Sequence, residues 1–163
     1  MMNSIYNSFD SMPLIPYNII AYLAQNSQAE NFWKLLYYPT YDCLSKPNLT
    51  LSQKISMIWK NQDRQEDYNI YLTYLVGNMQ LDAKTILKIY QYDNNPINKN
   101  IAVSAYEFDI LYGQKIAMVE YNGAPCNRAE VLEMELLKSL NGQVVSNAGK
   151  FVFDSDMSRL CRA

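Results

Sequence analysis

Apolar residues alternate with a period of two through the middle of this chain and shift to helical spacing near its end. In Thr85–Tyr92, Leu87 and Ile89 fall on one side of an extended backbone, while Ile86, Tyr90 and Tyr92 dominate the other. That is a strand with little polar cover on either face, which is wasteful for a sheet with one solvated surface. Asp93-Asn94-Asn95-Pro96 reads as the turn that follows. A second strand within Ile101–Leu111 sets Tyr106, Phe108 and Ile110 against Glu107 and Asp109, but its first half favours Ile101 and Val103. The apolar parity therefore changes near Ser104 and Ala105, which a bulge or cover on both faces would reconcile. After Tyr112-Gly113 a third strand runs from Lys115 to Tyr121 and stops at Asn122-Gly123.

Asn127 and Glu130 then form a capping pair ahead of a helix through Leu140, with Gly142 as its exit. Ala129, Leu132, Leu136 and Leu140 make the main stripe with Leu137 beside it, the pattern of a helix lying across a sheet. Val131 and Met134 project elsewhere and suggest a second, weaker contact surface, while Glu133 is expected at the helix border. Gly149–Asp154 reads as a final short strand.

The first half is helical. Pro16 suits the first turn of a helix carrying Tyr17, Ile20, Leu23 and Ala24. Ser27 and Glu30 give a capping-box signature for a continuation through Phe32, Trp33, Leu35 and Leu36, as a second helix or as one bent helix. Pro39 to Pro47 is an ordered crossing loop. Thr50 and Gln53 start another helix with Ile55, Met57, Ile58 and Trp59, and Lys60–Asp67 is a solvated loop. Tyr68–Val76 reads as an edge strand or extended arm. The fold class that follows is α+β: a small antiparallel or mixed sheet, a three-strand meander plus a final strand, backed by a helix, with additional N-terminal helices. Residues 1–14, with Pro13, form an N-terminal arm rather than a regular element; 15–163 form a single α+β domain with a helical first half and a sheet-plus-helix second half.

Composition narrows the function. With 49% hydrophobic and 18% charged residues over 163 positions, the chain can bury a core without metals or disulfides. A net charge of -2 with no dense Lys/Arg run creates no field for a phosphate backbone. The 14 tyrosines combine apolar area with a hydroxyl that tolerates water, a composition enriched where proteins meet. Cys43, Cys126 and Cys161 are far apart and form no CxxC pair, which fits synthesis in a reducing compartment. The first residues lack signal-peptide features and no run reaches transmembrane length, so the expectation is cytoplasmic synthesis and no membrane.

Candidate chemistry is sparse. Histidine is absent, which removes the commonest proton shuttle and metal ligand. Cys126, just ahead of a helix, is the best nucleophile candidate, but it has no histidine partner, and packing is the better reading. Glu107 and Asp109 share a strand face and in principle a cation or a proton; a solvated or salt-bridged face explains them more simply. The remaining carboxylates, Asp63 among them, have no metal-loop spacing, and the dispersed glycines form no phosphate nest. The expectation is no catalytic residue, no cofactor and no metal. Lys84, Lys88, Lys99 and Lys115 would touch nucleic acid only if assembly aligned them around a pore.

The order of helices, meander, helix and strand resembles the small head-tail connector and tail-completion proteins of tailed bacteriophages, particularly the tail-terminator type. The segments from Ile101 to Gly113 and from Tyr121 to Leu132 carry the likeness. The resemblance implies a non-enzymatic structural virion protein of the neck or tail end, assembled in the host cytoplasm into a homo-oligomeric ring. Its partners would be its own copies, portal or connector proteins and tail-tube proteins, with non-specific contact to DNA in the channel. Ile86, Tyr90, Tyr92, Tyr106, Val131 and Met134 are the interface candidates. The alternative is a small intracellular protein-binding adaptor that uses the same tyrosine-rich surface; an enzyme built on Cys126 or on Glu107 and Asp109 ranks below both.

Overall fold

The structure, a computed structural model, describes residues 7–61, 64–77, 82–98, 102–146 and 148–153. Of the expected arm, residues 7–14 are helical: α1 (Asn7–Asp10) and a 3-10 turn (Met12–Leu14) lead straight into α2 (Ile15–Gln25). Met12 packs on the core there; residues 1–6 lie outside the described residues. Pro16 sits in the first turn of α2, where an absent N–H costs nothing. Ile15, Ile19, Ile20, Leu23 and Ala24 are its buried face.

Asn26, in extended conformation, ends α2, and a 3-10 turn (Ser27–Ala29) separates it from α3 (Glu30–Tyr37), so the chain makes two helices. The Ser27–Glu30 capping box does not form. Asn26 Oδ1 instead accepts from Gln28 N at 3.0 Å, because the Glu30 carboxylate is drawn into an ion pair with Lys54 of α4 (Leu51–Ser56). Lys54 is itself buried, 5.8 Å from the Trp33 ring centre, and its ammonium also donates to Ala24 O at 3.3 Å. The Thr50–Gln53 capping box is present: Gln53 N donates to Thr50 Oγ1 at 3.2 Å and Thr50 N to Gln53 Oε1 at 2.9 Å. α4 stops at Ser56, so Ile58 lies beyond it and forms a parallel bridge with Ile70.

The central sheet has the order β1-β2-β3, with β1 (Ile70–Tyr71) parallel to β2 (Thr85–Pro96) and β2 antiparallel to β3 (Ala102–Tyr112). The expected edge strand is therefore real but short. Asp93–Pro96 is not a turn: these residues extend β2 and pair with Ala102–Ala105. Pro96 is tolerated because it forms the last pair of the ladder, and the reversal falls after it, where residues 99–101 lie outside the described residues. The anticipated irregularity is at the expected level but on the other strand. Gln91 pairs with Tyr106 and Asp93 with Ala105, so Tyr92 is the extra residue of a bulge.

The third run does not join this sheet. Gly113 N closes the ladder on Lys84 O at 3.0 Å, Gln114–Ile116 is a 3-10 turn, and β4 (Met118–Tyr121) pairs with β5 (Ala124–Asn127) in a separate hairpin. Asn122 and Gly123 are its two-residue loop with φ of 51° and 78°, the doubly left-handed turn that matches strand twist and that Asn-Gly adopts readily. This local partner captures the strand before β3 can.

α5 (Arg128–Leu140) packs against β3 and α3. Asn127 caps it by accepting from Ala129 N at 2.9 Å and Glu130 N at 3.4 Å. Its buried face comprises Arg128, Val131, Leu132, Glu135, Leu136, Ser139 and Leu140, rotated from the expected stripe, with Ala129 and Leu137 half-buried. The final strand becomes a small hairpin of β6 (Val144–Val145) and β7 (Gly149–Lys150), while Asp154 lies outside the described residues. The architecture is α+β, a small mixed sheet backed by α5 with helices in the first half. One apolar cluster joins α2, α3, β1, β2 and α5.

Candidate functional site

The sheet faces account for most of the interface candidates. Ile86, Lys88 and Tyr90 share the face of Leu111, Asp109 and Glu107, away from the main core. Ile86 is completely buried within the chain itself, so it is not available to a partner. Tyr90 is half-buried. Its ring lies 5.8 Å from that of Tyr74, and its hydroxyl donates to Asp109 Oδ2 at 3.2 Å. Burial first, then the Asp109 and Glu107 charges, push the Tyr90 phenol pKa up. Lys88 Nζ stands 3.8 Å from the same Asp109 oxygen. Asp109 is thus held by a phenol and an ammonium, which is the salt-bridged face rather than a shared-proton carboxylate pair.

Tyr106 lies on the opposite face, half-buried against the core, and burial raises its phenol pKa. Met134 is also half-buried against the core, and Val131 is buried on the inner side of α5. Tyr92 is the candidate that remains open, because the bulge turns it out of the ladder. Tyr92 (58% exposed) is joined among the open large apolar side chains by Tyr74 (63%), whose ring lies against that of Tyr90, and by Leu75 (67%) and Val103 (61%). Tyr74 and Leu75 come from the segment after β1, a position the sequence marked only as strand or arm. Further exposed apolar side chains, Leu14, Tyr17, Val144, Val152 and Phe153, are carried by α2 and the β6–β7 region, which meet through Asn18 Nδ2 donating to Ser146 O at 3.3 Å.

Arg128 is the residue that sequence reasoning missed. It is fully buried, and Nε donates to Ile116 O at 2.7 Å, Nη1 to Leu35 O at 2.8 Å and Tyr38 O at 3.2 Å, and Nη2 to Thr40 O at 2.9 Å. Among the described residues no carboxylate pairs with it. A cation at the first position of α5 opposes that helix's dipole, but Leu35 and Tyr38 present the carbonyl end of α3, which favours it. Its signal was the four-residue spacing to Leu132, Leu136 and Leu140, which places a basic residue on the buried stripe.

Cys43 and Cys126 are both free thiols. Cys43 is buried beside the Arg128 guanidinium; burial raises its thiol pKa and the Arg128 charge works against that rise. Cys126 is half-buried in β5 opposite Val119, and Cys161 lies outside the described residues. An open depression of about 340 Å³ is lined by Asn31, Asp42, Ser45, Glu120 and Asn122 among others. Its Asp42 carboxyl is paired with Lys46 at 2.7 Å, a contact that holds its pKa below the usual value. Among the described residues no group of three or more His, Cys, Asp and Glu side chains is placed to hold a metal ion. Nor, among them, is any helix long and apolar enough to cross a membrane.

The lysines considered for nucleic acid are occupied locally. Lys84 donates to Glu66 O, and burial lowers its pKa; Lys88 faces Asp109, and Lys115 lies 3.6 Å from Asp82. Lys99 lies outside the described residues.

Compared with known proteins, residues 29–161 match the YomW family. The chain belongs to the YomW family. This is a phage-derived, Bacillus prophage-like family, and the protein is accordingly phage-associated. No curated protein and no solved structure matches the chain. The YomW match takes in α3, α4, all of the strands and α5, so both the Arg128 clamp and the exposed end of the β2–β3 pair fall within the family region.

Proposed function

We propose that this YomW-family protein is a structural virion protein of a tailed phage, a non-enzymatic ring subunit of the neck or tail end that joins head or connector to tail in a tail-completion or tail-terminator role. The observation that carries this reading is that large apolar side chains stay exposed on different elements, Tyr74, Leu75, Tyr92 and Val103 on or beside the central sheet and Leu14, Val144 and Phe153 elsewhere. Surfaces carried by different elements suit head-to-tail contacts between identical copies, and such contacts form a ring when the rotation between copies closes. Aromatic side chains at the centre of such a contact give large buried area at low entropic cost. The phage-derived family supports the broad setting. The partners in this reading are copies of the same chain, portal or connector proteins and tail-tube proteins, and the inner rim of the ring borders the DNA channel.

Localisation tests it. An affinity-tagged copy, labelled in purified particles and viewed by electron microscopy, is expected at the neck or tail end. Complete absence from particles, with a stable one-to-one complex with a single soluble protein, would contradict the reading and favour the adaptor.

A further inference from the structure

Among the described residues no strand pairs with the outer edge of β3. Leu87 N donates to Asn69 O at 2.8 Å, so the backbone of Leu87 points towards β1 and its pair with Ile110 is of the non-hydrogen-bonded kind. By alternation, Tyr106, Phe108, Ile110 and Tyr112 turn their N–H and C=O groups away from β2. Among the described residues no hydrogen bond reaches those groups, and no residue of β3 is fully buried. An eleven-residue edge with neither proline nor lysine is a template for another strand.

Charge selects the occupant. The edge carries Glu107 and Asp109 on one face, and Glu107 makes no ion pair among the described residues. Pairing β3 with the β3 of another copy about their middles sets carboxylate against carboxylate, which is unfavourable. A strand with a cation on that face and an apolar residue on the other is required. The chain supplies one in Met157-Ser158-Arg159-Leu160-Cys161, within the ten residues that follow Phe153. With Arg159 opposite Glu107, period-two alternation puts Leu160 on the face of Phe108 and Ile110, which pack against the core. Residues 1–6 contain no basic side chain and do not meet the requirement.

We propose that residues 157–161 of a neighbouring copy add antiparallel to β3 as an exchanged strand, so that each subunit clasps the next. This rests on the assembly reading above and names the contact that closes it.

The test is a cross-link in the full chain. In the antiparallel register Cys161 faces Ala105, so Ala105→Cys in a Cys126→Ser background is oxidised mildly and resolved without reductant. A ladder of covalent oligomers joined through Cys161 is expected, abolished by Cys161→Ser. Arg159→Glu is expected to reduce it at least tenfold, and Glu107→Arg to restore it. No bond to Cys161, or a bond within one chain, would overturn the inference. Native mass of the unmodified protein reads assembly separately: oligomers without the cross-link sink only the exchanged strand, whereas monomers sink both. Hydrogen exchange needs no cysteine. The amides of Tyr106 and Phe108, which lie opposite Leu160 and Ser158 in this register, are expected to exchange at least tenfold faster after truncation behind Phe153, and unchanged exchange would also overturn the proposal.

Discussion

Arg128 ties together segments that are distant in sequence. Its guanidinium ties the end of α3, the crossing loop and the turn before β4 to the first residue of α5, through carbonyls of Leu35, Tyr38, Thr40 and Ile116. Replacing it with methionine keeps the apolar stem but leaves those carbonyls without a donor. The expected loss is about 4 kcal/mol in unfolding free energy, measured by denaturant titration. Arg128→Lys should recover only a small part, since one ammonium cannot reach carbonyls in several directions. Tyr71 offers a pH-dependent check. Its single hydroxyl proton is shared between the Gln65 and Tyr68 carbonyls, and burial, with help from Glu66 and Asp67, raises its pKa to about 12. The folded chain therefore holds this proton more tightly than the unfolded chain, whose tyrosine titrates near the ordinary value of 10. That stabilisation is complete below the unfolded pKa and lost as pH rises through the folded one. The difference in denaturation midpoint between the native protein and Tyr71→Phe should accordingly shrink above about pH 10. A difference that stays constant to about pH 12 would refute the assignment.

At the scale of elements, local capping signals were the most legible. Thr50 with Gln53 and Asn127 ahead of α5 cap as their residue types require, because each acts within one turn of the backbone. Thr50→Ala should cost about 1 kcal/mol in thermal or chemical denaturation. Ser27 with Glu30 failed for a non-local reason: a buried lysine 24 residues further along the chain, Lys54, claimed the carboxylate. The strands failed similarly. Alternation identified β2 and β3 and the meander set them side by side as they are, but the third run was misplaced, because Asn122-Gly123, read only as a stop, turns β4 back onto β5. The Asp93–Pro96 stretch has turn composition yet remains in the ladder, because the Tyr92 bulge lets the pair continue. Composition reports local preference, while pairing is decided between segments.

For the whole molecule, the α+β class was legible in the sequence, and so was a surplus of apolar residues on the sheet. Where that surplus lies was not. Ile86 and Val131 are consumed by the fold, whereas Tyr74 and Leu75, like Tyr92 and Val103, stay exposed. No periodicity marks them, since they follow a two-residue strand. A paired Tyr74→Ser and Tyr92→Ser change should leave the unfolding midpoint within a degree or so, about the effect of surface substitutions, yet weaken self-association at least tenfold. The central claim is that identical copies close into a ring. Native mass spectrometry of the purified protein, with negative-stain images of the same sample, tests it most directly. A closed oligomer of single stoichiometry with an open centre is the result expected; a strictly monomeric particle that also fails to bind portal or tail proteins would contradict it.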